Sequence, residues 1–198
     1  HMNLNLFLSM SAFALVSSIS PGPVNIVALT CGVQSGFRAS LRHVTGATVG
    51  FTALLVLIGL GLHELLARYP QLTVALQYFG VAFLLYMAVQ LARDGGDLHS
   101  SAAQQKPSYL NGALMQWLNP KAWLASSAGM GAYAADGDVG VVMQFAVIYF
   151  VICYVSIGAW AWAGSFLSAY LHEPRYLRMF NRAMAALLVG SAVYVLWA

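Results

Sequence analysis

Six apolar stretches divide the chain, and short polar connections separate them. They lie at about residues 4–30, 44–66, 70–92, 110–134, 139–168 and 177–197. A helix rises about 1.5 Å per residue, so about 20 apolar residues cross the hydrocarbon core of a bilayer. Each stretch reaches that length. The pattern therefore predicts an all-α integral membrane protein with six transmembrane helices.

The amino-acid composition also indicates a protein that is surrounded by lipid. Of the 198 residues, 60% are hydrophobic and 8% are charged, whereas an average soluble domain carries about 25% charged residues. The net charge of +3 then bears on orientation in the membrane and gives no reason to expect a nucleic-acid partner. Membrane lipid is the expected partner of the outer surface.

One long polar connection, residues 93–109, divides the chain almost in half. It contains Asp-Gly-Gly-Asp and Ser-Ser sequences, which are typical of a flexible loop. We expect a first unit at residues 3–92 and a second at 110–198, each with three spans. Because three is an odd number, the second unit enters the membrane from the opposite face. The arrangement predicts two inverted three-helix repeats, a design common in secondary transporters.

Arginine and lysine predict the orientation. Seven of these residues lie at span ends on one side of the predicted bundle, and Arg68 lies on the other. Positively charged loops stay in the cytoplasm, so the linker is predicted to be cytoplasmic and both termini to lie outside. The seven residues are Arg38, Arg42, Arg93, Lys106, Arg175, Arg178 and Arg182.

The first apolar stretch is interrupted by Pro21, Gly22 and Pro23, followed by Asn25. Proline removes a backbone donor and clashes with the preceding turn, and glycine permits backbone angles that other residues avoid. Irregular backbone at membrane depth is tolerated only where it is buried in protein or lines a cavity. The first helix is therefore predicted to be broken, and the break is a candidate binding site.

The fourth apolar stretch has a second break, at Asn119, Pro120 and Lys121. Both halves thus begin with a broken helix that carries an asparagine, and depth estimates allow the two breaks to face one another. Lys121 is the one lysine within a span, and a charge at the bilayer centre costs about 2.5–3.5 kcal/mol on insertion scales. A residue retained at that cost is a functional candidate. The alternative is that Lys121 reaches the cytoplasmic surface or caps the broken backbone.

The Pro-Gly-Pro-x-Asn sequence at 21–25, the polar mid-chain linker and the Asn-Pro-Lys-Ala sequence at 119–122 together resemble the LysE/RhtB family of amino-acid exporters. The resemblance covers essentially the whole chain. It implies a six-helix protein of the bacterial inner membrane that exports amino acids in exchange for protons. It places substrate binding on the two motifs, at Pro21, Gly22, Pro23, Asn25, Asn119, Pro120 and Lys121.

The broken helices suit a zwitterion. The N–H end of a helix carries about half a positive charge, and the carbonyl end carries about half a negative charge. The carboxylate of an amino acid suits the N–H groups after Pro23 or Pro120, and its ammonium suits the carbonyls before the breaks. Asn25 or Asn119 can fix the orientation. Because no Asp or Glu lies deep inside a span, a cationic side chain has no counter-charge there, and neutral amino acids are favoured.

Proton coupling lacks the usual carboxylate within a span. The candidates are His43 at the mouth of the second helix and Asp136 and Asp138 at the outer end, with protonation of the substrate itself as another route. His43 follows an arginine and is also typical of a solvated interface residue. No cofactor or metal site is expected, because Cys31 and Cys153 lie far apart and lack a metal-ligand spacing.

The fifth apolar stretch carries a stripe of polar and aromatic residues. Tyr149, Cys153, Ser156 and Trp160 recur at spacings of four, three and four, which places them on one helix face. We expect this stripe to face the interior of the bundle and most of its residues to serve packing.

Two other functions are weighed against export. A membrane thiol redox carrier needs paired cysteines, but Cys31 ends the first helix and Cys153 lies in the middle of the fifth, without a match between the halves. A channel-like or structural role remains open, as does assembly into a homo-oligomer. A membrane enzyme is not expected, since no HExxH or GxSxG constellation occurs.

Overall fold

Helices make up the fold, and proline and glycine decide where several of them start, stop or turn. The computed structural model describes residues 3–93 and 106–197. Over these ranges there is no strand, and eight α-helices are joined by short connections that include a π-helical turn at Ile58–Leu62 and a 3-10 turn at Ser168–Tyr170. The helices are α1 (Leu4–Ile19), α2 (Pro23–Leu57), α3 (His63–Arg68), α4 (Pro70–Arg93), α5 (Tyr109–Trp117), α6 (Pro120–Tyr133), α7 (Val139–Leu167) and α8 (Pro174–Trp197).

The outer surface is built for lipid. Within the described ranges, four helical segments are long and apolar enough to cross a membrane, with mean hydropathies of 1.5 to 2.2. They are Pro23–Leu62, Pro70–Arg93, Val139–Tyr170 and Pro174–Trp197, and the apolar α1 is shorter. Large apolar side chains such as Trp162 and Phe166 are exposed, which suits a hydrocarbon solvent. The prediction of an all-α membrane protein is confirmed. Residues 94–105 of the predicted linker lie outside the described residues.

Helix α2 reverses direction at Gly36. Its backbone there has φ 77° and ψ 169°, a conformation that favours glycine because it has no Cβ. The reversal brings the carbonyl oxygen of Val24 within 3.2 Å of His43 Nε2, whereas a straight helix would hold these residues about 28 Å apart. Helix α2 is therefore a hairpin of two antiparallel arms, one on each side of Gly36.

Two pairs of helices meet end to end at short breaks. Helix α1 ends at Ile19 and α2 begins at Pro23, while α5 ends at Trp117 and α6 begins at Pro120. Proline is the first helical residue at both restarts, where its missing N–H costs no intrahelical hydrogen bond and its fixed φ fits the helix. The same residue that cannot continue one helix thus begins the next.

Helix α7 lies against both arms of α2 and brings their backbones close. A Cβ built at Gly32 would lie 2.1 Å from the carbonyl oxygen of Ala161, and one built at Gly164 would lie 2.0 Å from the carbonyl oxygen of Leu29. Small residues at helix contacts permit this approach within a membrane. The second arm of α2 packs on α5 through glycines in the same way. These contacts pack both arms of α2 closely against their neighbouring helices.

We expect Gly164→Ala to destabilise the protein by about 1–3 kcal/mol, because the added Cβ overlaps a backbone oxygen that cannot rotate away. Thermal unfolding of the purified protein in detergent measures the effect as a lower midpoint. Gly158→Ala on the same helix is the control, since nothing lies within 4 Å of its Cβ position, and it should change stability by no more than about 0.5 kcal/mol. Equal midpoints for the two variants would contradict this packing.

Candidate functional site

The two breaks are in direct contact, although Ser20 and Lys121 lie 101 residues apart in the chain. The Nζ atom of Lys121 donates a hydrogen bond of 2.8 Å to the carbonyl oxygen of Ser20. Gly22 makes room for this side chain, since a Cβ at Gly22 would lie 3.1 Å from Lys121 Cδ and 3.2 Å from its Nζ. The lysine of the second break therefore lies over the backbone of the first.

Asn25 holds the carbonyls of the first break. Its Nδ2 donates to the carbonyl oxygens of Ser18 at 2.8 Å and Ser20 at 2.9 Å, and the residue is 4% exposed. Trp160 on α7 adds a third bond, from its Nε1 to the carbonyl oxygen of Ile19 at 3.0 Å. Backbone oxygens that an unbroken helix would satisfy internally are here satisfied by side chains.

The second break is closed differently, by capping and by tryptophan. Asn119 is the N-cap of α6, and its Oδ1 accepts from the backbone N–H of Lys121 at 3.1 Å. Trp123 Nε1 donates to the carbonyl oxygen of Trp117 at 2.7 Å. At the restart of α2, by contrast, Gly22 provides no side-chain cap. Of the two new helix N-termini, that of α2 keeps the more open N–H groups.

A small cavity, here called the break cavity, lies where the two breaks meet. Its volume is about 40 Å³, which is room for about three water molecules. Four of the predicted site residues line it, namely Gly22, Asn25, Asn119 and Lys121, whereas Pro21, Pro23 and Pro120 set the breaks without lining it. The remaining lining residues are Ser17, Ser18, Val24, Phe51, Gln116, Ala122, Ala125, Tyr149, Cys153 and Ile157.

Several of these residues had no signal in the sequence. Nothing in the spacing of Phe51 distinguishes it from a lipid-facing or packing residue, and Gln116 offers only the signal of one polar side chain within an apolar stretch. Tyr149 and Cys153 were signalled, because the stripe to which they belong was predicted to face the interior. That stripe is turned inward in the structure, with both residues on the cavity and the next member, Ser156, also buried.

Aromatic rings border one side of the break cavity. Phe51 and Tyr149 line the cavity, with ring centroids 4.4 Å apart. Further rings continue from there to Tyr133, the last residue of α6. Tyr133 Oη and Ser9 Oγ are hydrogen-bonded at 2.7 Å. We call Phe13, Phe51, Tyr133, Phe145 and Tyr149 the aromatic cluster, and it extends from the cavity toward the α6–α7 loop.

A larger cavity of about 250 Å³ lies between the first arm of α2, α4, α5 and α8, and its polar lining residues include His43, Lys106 and Asn111. His43 is 2% exposed and its Nε2 lies 3.2 Å from the carbonyl oxygen of Val24. Because Val24 lines the break cavity, His43 lines the larger cavity and contacts a residue of the break cavity. It is a buried residue, so the alternative of a solvated interface histidine does not describe its position.

The two other proton-coupling candidates lie away from both cavities, in the loop between α6 and α7. Asp138 caps α7, with its Oδ1 accepting from the backbone N–H of Val141 at 3.0 Å. Asp136 Oδ1 accepts from the backbone N–H of Asp138 at 3.4 Å. These contacts are those of residues that shape a loop and begin a helix.

The two cysteines do not meet. Cys31 and Cys153 are both free and buried, and they line different cavities. Within the described ranges, no group of three or more His, Cys, Asp or Glu side chains could hold a metal ion. The chemistry available at the break cavity is therefore hydrogen bonding and charge.

These features define a class of protein. Two helix restarts at prolines within a bundle of apolar helices, with a buried amide and one lysine on the cavity between them, are features that transporters use. The family model described as LysE type translocator matches residues 15–198. The chain belongs to this family, whose members are transporters and not enzymes.

Curated relatives match over nearly the whole chain. A cysteine/O-acetylserine efflux protein of Klebsiella pneumoniae is 25% identical over 197 residues, covering 98% of each chain. A homoserine/homoserine lactone efflux protein of Salmonella typhimurium is 26% identical over 182 residues, covering 88% of each. A cysteine/O-acetylserine efflux protein of Escherichia coli is 26% identical over 205 residues, covering 99% of this chain and all of the relative. No solved structure matches the chain.

We expect Asn25→Ala to lower the free energy of unfolding by about 1–3 kcal/mol, because two buried carbonyl oxygens lose a donor. The variant should still fold, since Lys121 keeps its bond to Ser20. Thermal unfolding in detergent measures the loss. Asn111→Ala is the control, because Asn111 is exposed and its backbone N–H makes the hydrogen bond there. A midpoint for Asn25→Ala equal to that of the parent would show that the amide does not support the break.

Proposed function

We propose that the protein is a secondary transporter that exports amino acids, with neutral ones favoured, from the cytoplasm across the bacterial inner membrane. The observation that carries the proposal is the contact between Lys121 and the Ser20 carbonyl, which joins the two helix breaks on one cavity. The relatives support it, because they are named for efflux of cysteine, O-acetylserine, homoserine and homoserine lactone. The three amino acids among these have uncharged side chains.

The break cavity offers a place for each charge of a zwitterion. The carbonyl oxygens of Ser18 and Ser20 suit the ammonium group. The uncapped N-terminus of α2, where Gly22, Val24 and Asn25 line the cavity, suits the carboxylate. We assign substrate binding to the two motifs, where Pro21, Pro23 and Pro120 shape the backbone and Gly22, Asn25, Asn119 and Lys121 line the cavity.

The charge of the cavity favours a neutral side chain. Among the described residues that line it there is no carboxylate, and Lys121 is its one formally charged member. A second positive charge on a substrate side chain would meet Lys121 without a counter-ion at low dielectric. Lysine and arginine are therefore poor substrates in this proposal.

We propose six crossings, arranged as two inverted repeats of three, with the linker in the cytoplasm and both termini outside. The first crossing would combine α1 with the first arm of α2, and the fourth would combine α5 with α6. The second arm of α2 and helices α4, α7 and α8 provide the other four. The hairpin at Gly36 supports this count, because it separates two antiparallel arms within one continuous helical segment.

Alternating access is part of the proposal. The aromatic cluster borders the break cavity at Phe51 and Tyr149, and His43 of the larger cavity contacts Val24 of the break cavity. We assign the larger cavity to the cytoplasmic entrance and the aromatic cluster to the outer gate. Protons would move inward as amino acids move out. Of the three coupling candidates, His43 is the best placed, because it lines the larger cavity and contacts a residue of the break cavity, while Asp136 and Asp138 lie in the outer loop.

Transport by reconstituted protein tests the proposal. Liposomes loaded with a panel of neutral, basic and acidic amino acids are given an imposed pH gradient. We expect neutral amino acids to move against their concentration gradient when protons flow in the opposite direction. A channel would dissipate an amino-acid gradient and could not build one. If no amino acid accumulates under either polarity of the pH gradient, export by this protein is refuted.

Two substitutions should each abolish uphill transport, Asn25→Ala and Lys121→Ala, because they remove the groups that hold the break carbonyls. Flux in liposomes is the measurement, at equal protein content and below the unfolding temperature. Gln71→Ala and Arg68→Ala are matched controls, since they remove an exposed amide and an exposed cation that line neither cavity and should leave flux within about twofold of the parent. Normal uphill transport by both site variants would place the binding site elsewhere.

A further inference from the structure

We propose that Lys121 is a tethered substitute for the substrate: its ammonium occupies the ammonium site of the empty transporter, and it carries the proton that is exchanged for the amino acid. The inference rests on the proposed function and adds to it a reason for the coupling. It follows from the hydrogen bond between Lys121 Nζ and the Ser20 carbonyl oxygen, and from the volume and the charges around that bond.

The acceptor is already saturated in the empty site. The Ser20 carbonyl oxygen accepts from Lys121 Nζ at 2.8 Å and from Asn25 Nδ2 at 2.9 Å. A carbonyl oxygen has two lone pairs, so an arriving ammonium must displace one of these donors. Asn25 is the harder to move, because its amide also bonds the Ser18 carbonyl and the residue is 4% exposed. Lys121 has a long flexible side chain and is the group that yields.

The space confirms that the site is occupied by the chain itself. The break cavity has a volume of about 40 Å³, which is smaller than an amino acid needs. The end of the Lys121 side chain fills the region above Gly22, with Cδ and Nζ 3.1 and 3.2 Å from the position of a Cβ there. Movement of this side chain would free volume and an acceptor in one step.

The charges around Lys121 allow one cation at a time. The other titratable side chains on the break cavity are Tyr149 and Cys153, both from α7. His43 lines the larger cavity, and its Nε2 lies 3.2 Å from the carbonyl oxygen of Val24. With no carboxylate among the described lining residues, neutral dipoles, chiefly the break carbonyls, stabilise a positive charge. A protonated Lys121 and a substrate ammonium therefore exclude one another at the Ser20 carbonyl.

This exclusion produces an exchange cycle that balances. In the inward-facing state the substrate ammonium displaces the Lys121 ammonium, and Lys121 gives its proton to the cytoplasm. The loaded protein opens outward with a neutral lysine and releases the amino acid. Lys121 then takes a proton from outside and returns to the Ser20 carbonyl, and the empty protein closes and turns inward. One proton enters for each zwitterion that leaves, so the cycle moves one positive charge inward.

The cycle separates two kinds of transport that are usually lost together. Net export requires the return of the empty protein, which in this proposal requires protonated Lys121 on the break. Exchange of one amino acid for another requires only loaded forms, which do not use that contact. Removal of the lysine should therefore stop net export and spare exchange. Removal of the Lys121 ammonium also raises the fraction of protein whose ammonium site is free. The apparent affinity for the amino acid should therefore rise, by about tenfold if that site is free in a tenth of the parent protein.

The test compares these fluxes in liposomes for the parent, Lys121→Ala and the longer neutral variant Lys121→Gln. A neutral amino acid that the parent exports is the probe, with uphill flux under a pH gradient and radiolabel exchange at equal concentrations as the two readouts. We expect both variants to lose at least about tenfold in uphill flux while exchange stays within about threefold of the parent. Asn25→Ala is the contrasting variant and should lose both.

Each other outcome has a definite meaning. If Lys121→Ala and Lys121→Gln lose exchange as fully as Asn25→Ala does, Lys121 is an ordinary substrate ligand, and the inference is wrong while the proposed function stands. If either variant keeps proton-driven uphill flux, the proton is carried elsewhere and the inference is again wrong. If the parent itself shows neither flux with any amino acid, the proposed function fails.

Discussion

Inside a membrane every backbone group that leaves a helix must find another partner, and this requirement shapes the centre of the molecule. An unsatisfied amide in hydrocarbon costs several kcal/mol. The breaks before Pro23 and Pro120 free carbonyls on two helices, and the polar and indole groups around them are the partners those carbonyls need. The bonds run from Asn25 to Ser18 and Ser20, from Lys121 to Ser20, from Trp160 to Ile19 and from Trp123 to Trp117.

The packing around the breaks serves the same requirement. A side chain on one helix can bond a free carbonyl on another only if the two helices are close. Glycines on α2 and α7 bring the backbones of these two helices within van der Waals contact. The reversal at Gly36 then folds the second arm of α2 back along the first, which places His43 beside the restart at Val24. Structure and site are thus one network, and a change in either break would alter the contacts of the other.

The sequence predicts some of this and misses the rest for physical reasons. Breaks at Pro21–Pro23 and at Pro120 follow from local rules about proline, and a lysine at depth is conspicuous on charge alone. Lys121 and Ser20 lie 101 residues apart in the chain. Their contact depends on how the helices that carry them are rotated about their axes, and no local sequence pattern specifies that rotation. Apart from Tyr149, the aromatic cluster was also missed. In a membrane protein both the inner and the outer faces of a helix are apolar, and hydropathy does not distinguish Phe145 in the interior from Phe150 on the surface.

The lack of a carboxylate at the break has a consequence for how tightly a cation is held. A buried lysine paired with a carboxylate is difficult to separate, because breaking the pair leaves an uncompensated charge, at a cost of about 3–5 kcal/mol. A lysine held by the carbonyl of Ser20 can instead be replaced by another ammonium without leaving a fixed negative charge unpaired. An acceptor of this kind suits repeated exchange of cations during transport. Backbone carbonyls, exposed by a proline break, provide it without adding a fixed negative charge to the membrane interior.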